Sequence, residues 1–61
     1  MCLATVIRKQ DGSTIFKNVS RIDVDADTLT IRDIMGDEKK VQGVIRMVDL
    51  ANSIVEVESV G

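Results

Sequence analysis

From Val19 to Arg32 the chain alternates. Ile22, Val24 and Ala26 take turns with Arg21, Asp23, Asp25 and Asp27, and then Leu29 and Ile31 with Thr28, Thr30 and Arg32. A period of two belongs to a strand with one dry and one wet face, because successive side chains of a strand point to opposite sides. No proline interrupts the chain, and glycine occurs only at positions 12, 36, 43 and 61. The apolar residues are mostly Val and Ile, which suit a pleated, half-buried surface. The chain is therefore read as all-β.

The other segments fit around that stretch. Cys2–Ile7 predicts a first strand, and Lys9–Ser13 carries the Asp11-Gly12 signal of a tight hairpin. Thr14–Lys17 reads as a short return strand and Met35–Glu38 as a turn. Lys40–Leu50 is a long strand in which Gly43 marks a bulge or bend. Ala51–Ser53 turns the chain again, and Ile54–Ser59 closes it. Five or six short antiparallel strands, with turns about every ten residues, predict a small SH3-like barrel. It forms one domain over residues 1–61.

At 61 residues, such a domain buries only about 60% of the surface its unfolded chain exposes. A single cysteine allows no internal disulfide, and without histidine there is no structural zinc set. Self-association is the remaining source of buried surface, so a homo-oligomer is expected. The net charge of −2 opposes a sequence-independent grip on nucleic acid or an anionic membrane. Phe16 is the only aromatic residue, too few for a base-stacking platform. With no long apolar run and no signal-peptide pattern, the protein is expected to be cytoplasmic, with its thiol reduced.

Few constellations carry chemistry. Asp23, Asp25 and Asp27 match the first positions of an EF-hand loop, but Thr28 stands where the loop needs Gly and Ile34 where it needs a bidentate Glu. Val24 and Ala26 between them fit a strand, so calcium is rejected. No paired nucleophile and base can be named, and Glu56 and Glu58 share one strand face as a solvated acidic pair. The protein is not read as an enzyme. Met35 and Met47 are expected to fill gaps in the small core rather than to ligate metal.

Cys2 has two readings. It is either a small apolar residue opening the first strand or a metal ligand. Its sulfur and its own backbone nitrogen can close a five-membered chelate ring. That nitrogen is an α-amine, of reference pKa about 7.7–8.0, if Met1 is removed, and an amide if it stays. Two chains around a two-fold axis would supply N2S2, a set that Ni(II) or Cu(II) takes square-planar.

The start Met1-Cys2-Leu3-Ala4, the Asp11-Gly12 turn, and the later stretch from Val48-Asp49-Leu50 to Ile54 and Glu58 resemble the CooT-type nickel-binding proteins over essentially the whole chain. The resemblance implies an SH3-like barrel that dimerises and binds Ni(II) at the dimer interface through Cys2 of both subunits. Leu3 would contribute only its backbone nitrogen. It also implies nickel delivery for maturation of carbon monoxide dehydrogenase, the client enzyme. The alternative is a small-barrel RNA-binding module, which needs Arg8, Lys9, Lys17, Arg21, Arg32, Lys39, Lys40 and Arg46 gathered on one face. A third reading is an interaction domain that adds a strand to a partner along an open edge.

Overall fold

The computed structural model describes residues 3–60. Among them lie five strands and no helix: β1 (Ala4–Arg8), β2 (Thr14–Asp25), β3 (Thr28–Asp33), β4 (Glu38–Asp49) and β5 (Ile54–Ser59). Each strand pairs with the next in sequence, and β5 returns to β1 to close the barrel. The expected all-β, SH3-like small barrel is what the chain forms. The four sequential pairings are antiparallel and the closing one is parallel, with Thr5 opposite Ile54 and Arg8 opposite Val57. Parity demands it. When direction reverses at every neighbour, the first and fifth strands of a ring run the same way.

Two long strands bend so that each serves two partners. β2 does not stop at Lys17 as expected. At Asn18 the backbone takes a φ of 56°, and the ladder slips between the pairs Val6–Phe16 and Ala4–Val19. Asn tolerates this left-handed conformation better than most residues. The bulge re-aims the strand, so its first half lies on β1 and its second half on β3. β4 changes partner at Gly43: Gln42 still pairs with Thr28 of β3, while Gly43 pairs with Ser59 of β5. A Cβ at Gly43 would stand 2.8 Å from the Glu58 carbonyl oxygen and 2.8 Å from Val57 Cγ1. Glycine is there because the strands approach too closely for a side chain. The ladder slip itself falls later, between Ile45 and Met47.

The alternating stretch is a hairpin rather than one strand. Ala26 and Asp27 form its two-residue loop, with Ala26 at a φ of 55°. Among the described residues β1 begins at Ala4; Met1, Cys2 and Gly61, and with them the expected strand start at Cys2, lie outside those residues.

The buried core consists of Val6, Val19, Leu29, Ile31, Val55 and Val57, with Ala4, Ile15, Phe16, Ile22, Val41 and Ile45 packed against it. The two methionines expected there are outside it. Met35 is 83% exposed, at a turn where Asp33 Oδ1 accepts from Met35 N and Asp37 N, both at 2.9 Å. Met47 is exposed because of the slip at Arg46. Ile45 and Val48 stand opposite the buried Val57 and Val55, and Met47 stands opposite Glu56 on the other face. Val24, expected to face inward with Ile22, is 62% exposed because β1 ends before reaching it.

Candidate metal centre

The described chain begins with Leu3 and Ala4, both half-buried. Ala4 lies opposite Val19 in the ladder, Thr5 N donates to Ser53 O at 2.8 Å, and Val6 is fully buried. β1 is thus held between β2 and β5 from its first residues. Leu3 belongs to the same end of the barrel, and its nitrogen is joined to the Cys2 carbonyl carbon. Cys2, the thiol singled out from the sequence, lies outside the described residues. Consecutive Cα atoms are about 3.8 Å apart, so any ligand on residue 2 starts from this end.

This end carries an open groove of about 320 Å³. Ala4, Val19 and Val55 line it together with Ile22 of β2 and Ile45 and Val48 of β4; Ser20 and Arg21 supply the polar part. Val48 is itself 54% exposed and Leu50, in the turn that follows β4, is 83% exposed. The neighbourhood of the chain start is therefore apolar and accessible. Among the described residues no element covers the groove, because β2 and β4 diverge here, one towards β3 and the other towards β5.

Several of the ionisable groups elsewhere are engaged in local structure. Asp23 pairs with Arg21 at 3.0 Å, and the Asp27 carbonyl accepts from Gly43 N at 2.7 Å. Asp25 ends the strand before a two-residue hairpin loop and Asp27 lies within that loop, so this segment is not a calcium loop. Asp11 accepts hydrogen bonds from the Ser13 hydroxyl and amide, and these hold its carboxyl below the usual range. The side chain and amide of Asn52 do the same for Asp49. Glu56 and Glu58 alternate with the buried Val55 and Val57 on β5. Glu58 is bonded to Arg46, which lowers its pKa, and Arg32 is bonded to Glu38, which raises that of the guanidinium. Three of the basic residues that an RNA surface would need, Arg21, Arg32 and Arg46, are thus already matched by carboxylates. Among the described residues, no three His, Cys, Asp or Glu side chains gather as a metal cluster. None of the helix-length apolar segments that cross membranes occurs among them either.

The family model of the CO dehydrogenase accessory protein CooT matches residues 1–58, nearly the whole chain and including its start. The chain belongs to the CooT family. That family is one of CO dehydrogenase accessory proteins. The crystal structure of a chain assigned as CooT from Carboxydothermus hydrogenoformans superimposes with a TM-score of 0.89 at 16% identity, covering 98% of this chain and 100% of that one. At that identity the likeness speaks for the CooT fold alone. Among curated proteins, none matches the chain.

The sequence points to Cys2 and Leu3 without indicating what surrounds them. The groove was missed because its lining comes from four strands far apart in the chain. Only one trace of it was present: Val48 is apolar just before β4 leaves for a turn.

Proposed function

We propose that this CooT protein is a nickel metallochaperone that holds Ni(II) between two subunits of a homodimer and passes it on for maturation of carbon monoxide dehydrogenase. The ligands are the Cys2 thiolate and backbone nitrogen of each subunit, with the Leu3 backbone nitrogen adjacent. The observation that carries the reading is the family match over residues 1–58, which includes Cys2. The physical case supports it. A thiolate and a backbone nitrogen on one residue form a compact N,S pair, and two such pairs suit a square-planar d8 ion. Nickel is cargo here, and a site made from two chain starts stays open enough to release it. A structural metal site would instead be closed within the fold.

The apolar end of the barrel supports the dimer. With a buried core of only six side chains among the described residues, the chain gains from covering Val48 and Leu50. The test is a Ni(II) titration of tag-free protein, followed by absorbance and native mass spectrometry. One nickel per two chains, with a thiolate charge-transfer band lost in Cys2→Ala, is the expected result. Tight binding that survives Cys2→Ala would put the ligands elsewhere and overturn the reading.

A further inference from the structure

β2 is flanked on both edges only as far as Val19. Beyond it, Arg21–Asp25 pair with β3, and among the described residues no strand lies on the other edge. Which backbone groups face that edge follows from the ladder. Asp33 N donates to Asp37 O at 3.0 Å and Ile34 N to Asn18 O at 2.9 Å. Odd residues of β3 therefore bond to β4 and even ones to β2, since bonding alternates along an antiparallel strand. Arg32, Thr30 and Thr28 stand opposite Arg21, Asp23 and Asp25, which accordingly use their backbone groups inside the hairpin. Ile22 and Val24, between them, turn N–H and C=O towards the open edge. Such unpaired groups are a template for another strand.

We propose that this edge pairs with itself: β2 of a second copy lies antiparallel to it across a two-fold axis, forming the homodimer of the nickel reading, on which this inference rests. Charge complementarity selects a second copy as the occupant. Arg21, Asp23 and Asp25 share one row of β2. In a symmetric register centred on Ile22, Arg21 faces the partner's Asp23; centred on Asp23, it faces the partner's Asp25, but the two Asp23 carboxylates then stand opposite each other, which favours the first register. Opposite charges directly across an antiparallel pair stabilise it. Isologous pairing makes each such contact twice. The apolar row agrees, because Ile22 would meet its own copy in the first register and the partner's Val24, here 62% exposed, in the second. The edge begins where β1 ends its pairing, at Ala4 opposite Val19, so both chain starts enter one interface.

Amide hydrogen exchange on the full, tag-free chain, read alongside sedimentation, tests this. Protection at Ile22 and Val24 should rise with protein concentration, in step with dimer formation. Arg21→Asp should weaken the dimer at least tenfold, and adding Asp23→Arg or Asp25→Arg should restore it, according to the register. Protection at those amides that is independent of concentration would assign the edge to the chain's own first two residues and overturn the proposal. A dimer indifferent to Arg21→Asp, or one that neither second substitution restores, would also overturn it. Those outcomes leave the Cys2 site standing, whereas a chain that stays monomeric with nickel bound overturns the bridging reading as well.

Discussion

β3 and the outer half of β2 are the two arms of one hairpin, and their sequences look alike. Each alternates apolar and polar residues, and Val24 stands directly opposite Leu29. Yet Leu29 and Ile31 are 0% exposed while Val24 is 62% exposed. The difference lies in their neighbours. β3 is paired along its length with β2 on one side and β4 on the other. Among the described residues, the outer half of β2 has β3 on one side only, so the apolar row that β3 buries extends past the edge of the core. Alternation identifies a strand; the number of its partners decides whether its apolar face is core.

The largest effect that separates the two arms is in the core. Leu29→Ala should cost about 2–5 kcal/mol, because a fully buried Leu leaves a cavity behind. Val24→Ala, measured at concentrations low enough to keep the chain monomeric, should stay within about 0.5 kcal/mol. Urea denaturation of both variants gives the contrast, and equal losses would break the comparison. A second variant asks whether β4 needs close approach where it changes partner. Gly43→Ala places a methyl against the Glu58 carbonyl and Val57, and overpacking of that kind costs about 1–3 kcal/mol. An unchanged denaturation midpoint would show that β4 and β5 separate more easily than their packing implies.

The smallest effect concerns the solvated groups, which should matter little beside the paired strands. Asp11, Asp49 and Glu58 have carboxyls held below their ordinary values, by Ser13, Asn52 and Arg46 respectively. The unfolded chain therefore binds more protons than the folded one as pH falls. Their stabilisation is present above the ordinary carboxyl range, near pH 4, and is lost on acidification through the lower folded values. All three are exposed, so the decline in thermal midpoint between pH 5 and pH 3 should be shallow. A steep fall in that window would mean that these contacts, rather than the apolar core, dominate stability.

Much of this was legible in advance. Ile54–Ser59 is a strand with the bounds its pattern predicts, because Val55 and Val57 alternate cleanly with Glu56 and Glu58. The Asp11-Gly12 turn stands where its dipeptide puts it, with Gly12 at a φ of 70°. Other features left weaker traces. The Ala26–Asp27 reversal shows only as a shift of the apolar residues from even to odd positions. The bulges at Asn18 and Arg46 show in no local pattern, so alternation alone ends the return strand at Lys17 and places Met47 in the core.

The sequence by itself determined the class of fold, the strand content, most of the turns and the residue on which a metal reading rests. These depend on local chemistry: side-chain alternation, turn dipeptides and one thiol beside its own backbone nitrogen. Only the tertiary structure decided that β1 and β5 close in parallel, that β2 and β4 each serve two partners, and that a groove opens beside the chain start. The reason is that pairing is a relation between distant segments. A strand carries the pattern of its own faces, while the strand that will lie against its edge is set by bulges and by the closure of the whole barrel.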